Sequence, residues 1–285
     1  MPEHTLILTL SCDGVPGIIA AVTGEIAALG GNIAETAQFW DRGNNRFFLR
    51  IAFLAPEGLE PTAVERRLAP AVERFGMDAA VVDPRRRPRI VVMVSRFDHA
   101  LMHLLYQIRV GWLDAEVAAI VSNHPDAGSE AEHAGIPFHH WPVTPATKAE
   151  VEARLLALMA DSGAELVVLA RYMQVLSTDL AARLAGRAIN IHHSFLPSFK
   201  GAKPYHQAHI RGVKLIGATA HYVTSDLDEG PIIEQETERV SHAMGPDDLV
   251  AIGRDIESRV LGRAVKLHLE RRVLLDGNKT VVFAA

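Results

Sequence analysis

The run RIVVMVS at residues 89–95 decides the fold of most of this chain. Its apolar residues are consecutive rather than alternating, which is typical of a strand buried on both faces of a parallel sheet. Downstream, apolar runs alternate with stretches of helical periodicity. The predicted strands lie at 116–122, 137–141, 166–170 and 188–191, and the predicted helices at 99–109 and 148–161. An antiparallel pair at 215–223 and 231–240 and a helix at 247–270 follow, so residues 89–285 are predicted to form a Rossmann-like, mostly parallel α/β domain.

Upstream of that run lies a second predicted domain. Pro84 and Pro88 bracket three arginines, which favours a stiff, solvated linker at residues 84–88. Residues 1–83 show the order strand, helix, strand, strand, helix, strand, with a turn at 41–45. We therefore expect an α/β chain whose N-terminal domain, at 1–83, has the ferredoxin-like βαββαβ fold.

The composition excludes several classes of function. With 29 Lys and Arg against 34 Asp and Glu, the net charge is −5, so the chain lacks the basic excess of a nucleic-acid-binding surface. Its single cysteine, Cys12, excludes a disulfide framework and a cysteine-based metal site. No run approaches the ~20 apolar residues that span a bilayer, and no signal-peptide pattern is visible. We expect a cytoplasmic protein with neither a nucleic-acid nor a membrane partner.

Three polar segments follow predicted strands, at the end of the sheet where α/β proteins bind ligands. In AINIHHSFLP, at 188–197, strand alternation places Asn190 and His192 on one face. The other two segments are RYMQVL at 171–176 and SDLDEGP at 225–231. Taken alone, Asn190 fits a hydrogen-bonded core asparagine as well as a catalytic one, and SDLDEGP fits a plain turn.

Together, NIH at 190–192, SFLP at 194–197 and LDEGP at 227–231 resemble the signature of the formyltransferase family, whose members use 10-formyltetrahydrofolate. The resemblance covers residue 89 to about 285. It implies that Asn190 and His192 stabilise the oxyanion at the formyl group and that Asp228 orients His192 and acts as a base. It implies no metal and no separate cofactor. The implied substrate-binding residues are Arg171, Tyr172, Met173, Gln174, Val175, His193 and His206.

The acceptor of the formyl group is indicated by the segment after the first strand of this domain. Family members that formylate glycinamide ribonucleotide have a Gly/Ser/Asn-rich phosphate loop there. This chain has SRFDHAL at 95–101, without glycine and with Asp98, which would repel a phosphate. The tRNA-specific members have a further domain and a basic surface, which an acidic chain does not match. Water remains as the acceptor.

With SNH at 122–124, the pair at 192–193 and GAKPYHQ at 201–207, the whole chain resembles the formyltetrahydrofolate deformylase family. That resemblance implies hydrolysis of 10-formyltetrahydrofolate to tetrahydrofolate and formate, which supplies formate for purine synthesis and balances the folate pool. Two alternatives stay open. One is formyl transfer to an amine such as glycinamide ribonucleotide, and the other is a non-catalytic folate or amino-acid sensor.

The N-terminal segments DGVPGII at 13–19 and GGNI at 30–33 resemble the ACT domain, a module that often binds amino acids between paired copies. The resemblance implies a regulatory ligand at Asp13, Gly14, Gly17 and Asn32, where glycines let backbone amides approach a carboxylate at a helix N-terminus. It also implies a homo-oligomer, either a dimer or a tetramer. An equally good interpretation is that the loop is only a tight turn and the domain mediates oligomerisation alone.

The fourteen histidines raise the question of a metal site. The adjacent pairs at 139–140 and 192–193 are expected to point to opposite faces of their strands, which disfavours chelation of one ion. His99 and His103 have ligand-compatible spacing on a helix, without an accompanying acidic residue between them. Four histidines are expected to fall beside the proposed trio, namely His192, His193, His206 and His221. We expect His192 to be catalytic and His193 and His206 to line the site, with no special role for the others.

Overall fold

The computed structural model describes residues 3–194 and 204–284, which form two compact units. The first unit runs from the N-terminus to Arg86 and also includes Glu270–Asp276 and the residues from Thr280 onward. The second unit spans Arg87–Leu269, with Gly277–Lys279. The sequence predicts domains at 1–83 and 89–285. The two units of the structure differ from this prediction because residues near the C-terminus belong to the first unit.

The first unit has the ferredoxin-like order predicted from the sequence. Its elements are β1 (Glu3–Asp13), α1 (Ile18–Ala28), β2 (Asn32–Asp41), β3 (Arg46–Pro56), α2 (Pro61–Phe75) and β4 (Asp78–Val82). The four strands form an antiparallel sheet in the order β2-β3-β1-β4. Alternate residues of β1, such as Leu6, Leu8 and Leu10, are buried in one cluster with Val22 of α1 and Val64 of α2. Strand alternation and helical periodicity thus supply the two faces of this core.

An ion-pair cluster with two buried arginines joins the C-terminal segment to this sheet. Arg50, on β3, is 3% exposed, and its Nη1 lies 3.0 Å from Glu35 Oε2 on β2. Arg272 donates through Nη1 to Glu35 Oε1 over 2.8 Å, and Arg50 Nε donates to the carbonyl of Glu270 over 3.1 Å. Hydrogen bonding from Arg272, with the charge of Arg50, lowers the pKa of Glu35 below its usual value. The chain end therefore supplies charge partners that the first unit needs.

The second unit is built on a seven-stranded sheet in the order β11-β10-β9-β8-β5-β6-β7. Its strands are β5 (Arg89–Val94), β6 (Glu116–Ser122), β7 (Phe138–His140), β8 (Leu166–Leu169), β9 (Ala188–His192), β10 (Leu215–Tyr222) and β11 (Ile232–Arg239). Its helices are α3 (His99–Arg109), α4 (Gly128–His133), α5 (Lys148–Ser162), α6 (Thr178–Arg183), α7 (Pro204–Arg211) and α8 (Pro246–Leu269). A short hairpin follows in the chain, formed by β12 (Val273–Asp276) and β13 (Lys279–Val282), and most of its residues belong to the first unit.

The apolar run at residues 89–95 forms β5, near the middle of this sheet. Its residues Ile90–Val94 are at most 1% exposed, as expected for a strand covered on both faces. The pairs among β5, β6, β7, β8 and β9 are parallel, whereas β10 pairs antiparallel with β9 and with β11. The predicted α/β class and mostly parallel sheet are confirmed. None of the helices described here has the length and apolarity to cross a membrane.

Candidate active site

Three segments at the carboxyl ends of β8, β9 and β10 line one cleft of the second unit. The lining comprises Leu169, Arg171–Leu176, Asn190–His193, His221 and Val223–Asp228. Asn190, His192 and Asp228 meet there, together with His193 and the predicted substrate segment from Arg171 to Val175. His206 lies on α7 and does not line the described part of this cleft. Residues 195–203, with parts of the SFLP and GAKPYHQ motifs, lie outside the described residues.

Asn190 is oriented by a histidine on the neighbouring strand. In the antiparallel register of β9 and β10, Asn190 is the direct partner of His221, and Asn190 Nδ2 lies 3.3 Å from His221 Nε2. His221 Nδ1 lies 2.9 Å from the carbonyl oxygen of Tyr222, which can only accept, so Nδ1 carries the proton. Burial lowers the pKa of His221, whose exposure is 2%, and keeps the ring neutral. Neutral Nε2 therefore accepts one amide hydrogen of Asn190 and leaves the second for a ligand.

His192 and Asp228 form the charged pair of the site. His192 Nδ1 lies 3.1 Å from Asp228 Oδ1, while His221 Nε2 is 3.9 Å from the same oxygen. The hydrogen bond from His192 lowers the pKa of Asp228 below its usual value, so the carboxylate is ionised at neutral pH. Nδ1–H of His192 then donates to Asp228, and Nε2 is the ring nitrogen left for a ligand.

Asp228 is held in place by a strained turn. Its φ is 58°, in the left-handed region that costs a non-glycine residue about 1–3 kcal/mol. Two residues later, a Cβ on Gly230 would lie 1.7 Å from the carbonyl oxygen of Tyr222, so only glycine fits. Tyr222 N in turn donates to the carbonyl of Pro231 over 2.9 Å. The turn therefore fixes the carboxylate against the end of β10.

The segment from Arg171 to Val175 is anchored through its backbone. Ser95, at the end of β5, receives a hydrogen bond from the Met173 amide on its Oγ over 2.9 Å and donates its own amide to the Arg171 carbonyl over 3.3 Å. Arg171 has a φ of 65°. Met173 and Val175 are 54% and 56% exposed, which leaves apolar side chains along the cleft.

Two predicted site residues have side chains turned to other partners. The side chain of Tyr172 is 7% exposed and packs in the hydrophobic core, where burial raises its pKa to about 12. The guanidinium of Arg171 lies 2.6 Å from His193 Nδ1 through Nη1 and 3.3 Å from Glu257 Oε2 through Nε. The sequence placed His221 beside the proposed trio without giving it a role, and Glu257 was not predicted. A glutamate on the apolar face of α8 was a usable signal, since a buried charge requires partners.

The adjacent histidines do not point apart as the sequence analysis expected. The rings of His192 and His193 stack with centroids 4.9 Å apart and an interplanar angle of 23°. The reason is that β9 ends at His192, so His193 is free of strand alternation. Among the described residues, no three His, Cys, Asp or Glu side chains are placed to hold one metal ion.

The residues predicted to bind a regulatory ligand lie in the first unit. Asp13 ends β1 and pairs with Arg46 over 3.3 Å, and Asn32 begins β2. Gly17 precedes α1 with a φ of 98°. Gly14 lies under the indole of Trp40, since a Cβ there would be 2.2 Å from Trp40 Nε1.

Known proteins resemble this chain in sequence and in structure. Residues 88–265 match the family model described as formyl transferase. A formyltetrahydrofolate deformylase of Corynebacterium sp. (strain P-1) is 51% identical over 279 residues, 97% of each chain. The crystal structure of a formyltetrahydrofolate deformylase from Burkholderia mallei ATCC 23344 is 54% identical, covers 99% of this chain and all of its own, and has a TM-score of 0.95.

A glycinamide ribonucleotide transformylase is less similar and matches only part of this chain. The glycinamide ribonucleotide transformylase 1 of Symbiobacterium toebii is 31% identical and covers 69% of this chain and 94% of its own, with a TM-score of 0.64. The deformylases therefore match both units, whereas the transformylase leaves about a third of the chain unmatched.

Proposed function

We infer, because this chain belongs to the formyltetrahydrofolate deformylase family, that it hydrolyses 10-formyltetrahydrofolate to tetrahydrofolate and formate. The observation that carries this inference is the likeness of both units to deformylases at 44–54% identity among the solved structures, against 31% over 69% of the chain for the transformylase. The chain is therefore an enzyme of one-carbon folate metabolism, and water is its acceptor.

We propose that Asn190, His192 and Asp228 carry the reaction. Water attacks the formyl carbon as Asp228 takes one of its protons, and the formyl oxygen becomes an oxyanion. Asp228 Oδ1 is engaged by His192, so Oδ2 is the oxygen that accepts this proton. The proton then passes to N10 as the carbon–nitrogen bond breaks, which yields tetrahydrofolate and formate. General base catalysis of this kind contributes about 10²–10⁴-fold.

The oxyanion needs donors that are already in position. Asn190 offers the amide hydrogen that His221 does not use, and protonated His192 offers Nε2–H. One such donor is worth about 2.7–4 kcal/mol of transition-state stabilisation. This chemistry assigns no step to a metal or cofactor. The segment Arg171–Val175, which lines the cleft, is proposed to bind the folate ring.

The deciding experiment measures formate release by the purified protein from 10-formyltetrahydrofolate with no amine present. The expected result is stoichiometric tetrahydrofolate and formate, formed at a rate about 10²–10⁴-fold lower in Asp228→Asn. Formate that forms only when glycinamide ribonucleotide or charged tRNA is added would overturn the hydrolase assignment. Folate binding without any turnover would favour the non-catalytic sensor.

We also propose that the first unit pairs with a second copy of the chain. Strand β2 is the edge of the four-stranded sheet and carries partly exposed apolar residues, Ile33, Phe39 and Trp40. An exposed edge strand with aromatic side chains is a ready template for pairing. Light scattering tests this, with Phe39→Lys expected to dissociate the oligomer and a wild-type monomer contradicting it.

Two further parts of the proposal concern regulation and location. An amino acid is proposed to bind near Asp13, Gly14, Gly17 and Asn32, and calorimetry with the common amino acids tests it, a null result leaving a purely structural unit. A cytoplasmic location is proposed on the grounds of the folate substrate and of the free, buried Cys12. Cell fractionation tests it.

A further inference from the structure

A buried carboxylate lies beside Arg171 in the second unit. Glu257, on α8, is 1% exposed and has three partners in the second unit. His99 Nε2 lies 2.8 Å from its Oε2, and the Tyr205 hydroxyl donates to its Oε1 over 2.7 Å. Burial raises the pKa of Glu257, but the hydrogen bond from His99 and the charge of Arg171 outweigh burial, so the net pKa lies below the usual value. Glu257 is therefore ionised at neutral pH.

The charge of Glu257 fixes the position of Arg171. Arg171 Nε is buried and lies 3.3 Å from Glu257 Oε2, an ionic contact outside hydrogen-bond geometry. The backbone of Arg171 is held in the left-handed region, and its carbonyl accepts from Ser95 N. Arg171 is thus held both at its backbone and at its guanidinium group.

The other end of the guanidinium decides the protonation of His193. Arg171 Nη1 lies 2.6 Å from His193 Nδ1, and a guanidinium has only donors, so Nδ1 must accept. The proton of the neutral ring is then on Nε2. Addition of a second proton at Nδ1 would place two donors against each other.

Burial, together with two of the four charged groups around it, favours the neutral form of His193. Burial lowers its pKa to about 4, and Arg171 from the segment after β8 and His192 from β9 add to this effect. Glu257 from α8 and Asp228 from the turn after β10 oppose it. The ring of His193 stacks on that of His192 at 4.9 Å, so a charge on His193 would lie beside the imidazolium that the oxyanion needs.

We propose that Glu257 and Arg171 are positioning residues that hold His193 neutral, as its Nε2–H tautomer, and so reserve the positive charge of this histidine pair for His192. The expected benefit to turnover rests on the proposed hydrolysis. The tautomer of His193 does not depend on that function. Two apolar residues of similar volume often stabilise a core as well as a buried ion pair does. Stability alone therefore explains neither the Arg171–Glu257 pair nor its contact with His193.

The test is ¹⁵N NMR of the histidine rings in the full chain labelled with [¹⁵N]histidine, with His193→Asn identifying the signals. The unmodified protein is expected to show His193 as the Nε2–H tautomer, without titration, from pH 5.5 to 8. In Arg171→Met, which keeps apolar volume but no donor, His193 is expected to titrate within that range and to populate both tautomers. Glu257→Gln is expected to populate both tautomers as well, because Arg171 loses the charge that fixes it, although loss of the Glu257 charge by itself lowers the pKa of His193.

The kinetic readout is the ratio of kcat at pH 5.5 to kcat at pH 8. With the pKa of His193 released toward the ordinary value of about 6.5, roughly nine-tenths of the rings are charged at pH 5.5, and the ratio falls about tenfold relative to the unmodified enzyme. Arg254→Met is the matched control, since Arg254 stacks over Phe97 at 5.2 Å, and it is expected to leave the tautomer and the ratio unchanged.

Two results would overturn the proposal. One is an Nδ1–H tautomer of His193 in the unmodified protein. The other is an Arg171→Met variant that shows folded-protein spectra and in which His193 stays a single, non-titrating tautomer. Absence of hydrolysis by the unmodified chain would overturn the proposed function alone, because the NMR measurement needs no turnover.

Discussion

Replacement of His221 tests whether this histidine acts through Asn190. In His221→Ala, Asn190 loses the acceptor that lies 3.3 Å from its Nδ2, so its amide can rotate away from the oxyanion. A hydrogen bond of this kind is worth about 0.5–1.5 kcal/mol, or about 2- to 13-fold in rate, which sets the lower limit of the expected loss in kcat. The upper limit is the loss of the whole oxyanion donor, about 10²–10³-fold.

The assay is formate release measured in a double-mutant cycle. If His221 acts only by orienting Asn190, His221→Ala costs less than about twofold in the background of Asn190→Ala, since the group it orients is already gone. His221→Gln serves as the conservative variant, because its Oε1 can accept the same amide hydrogen and should recover part of the rate. Thermal unfolding of each variant confirms that the buried position has not collapsed.

Additive losses would refute this reasoning. A double variant slower than Asn190→Ala by the full factor seen in His221→Ala would assign His221 an independent role, for which its 3.9 Å distance from Asp228 is the obvious basis. An unchanged kcat in His221→Ala would show that the orientation of Asn190 is set elsewhere.

Asp228→Asn is expected to lower kcat about 10²–10⁴-fold while folate binding persists, because the amide is no base and pairs poorly with His192; a loss under tenfold in steady-state formate release would contradict the assignment. Gly230→Ala is expected to lower kcat with little change in circular dichroism, since its Cβ would lie 1.7 Å from the Tyr222 carbonyl and displace the turn. Gly245→Ala, with space for a Cβ, is its control, and equal activity of the two variants would contradict a fixed turn. Arginine partners lower the folded-state pKa of Glu35, so its contribution to stability is present above the unfolded pKa of about 4.3 and is lost as the pH falls through the folded value. Denaturant unfolding should therefore show a smaller acid-induced loss in Glu35→Gln than in the unmodified chain, and equal losses would contradict this linkage.

The elements with strong patterns were predictable from the sequence. The unbroken apolar run of β5 and the alternation of strands with long helices gave the parallel sheet, because burial on both faces leaves no room for polar residues. The helices α4 (Gly128–His133), α6 (Thr178–Arg183) and α7 (Pro204–Arg211) and the hairpin β12–β13 were not predicted. Segments of four to eight residues are too short for their periodicity to be distinguished from that of a turn.

The site was only partly predictable, for a different physical reason. Strand alternation sufficed to place Asn190 beside His192, since both lie on one strand. The contact of Asn190 with His221 depends on the register of β9 against β10, and that register is set by packing across the sheet rather than by either strand alone. The same holds for Glu257, whose partners come from three separate segments. The residues proposed for a regulatory ligand stay a prediction.

The contribution of both chain ends to the first unit has a consequence during synthesis. Glu35 and Arg50 leave the ribosome early, but Arg272 and the carbonyl of Glu270 follow more than 200 residues later. Domains usually fold in the order in which they are translated, whereas here the earliest strands wait for the last segment to complete their charge pairs. A nascent chain stalled before residue 270 would carry Arg50 without its later acceptor and Glu35 with one arginine instead of two. Termination of translation before residue 270 would therefore weaken a sheet whose strands lie more than 200 residues upstream.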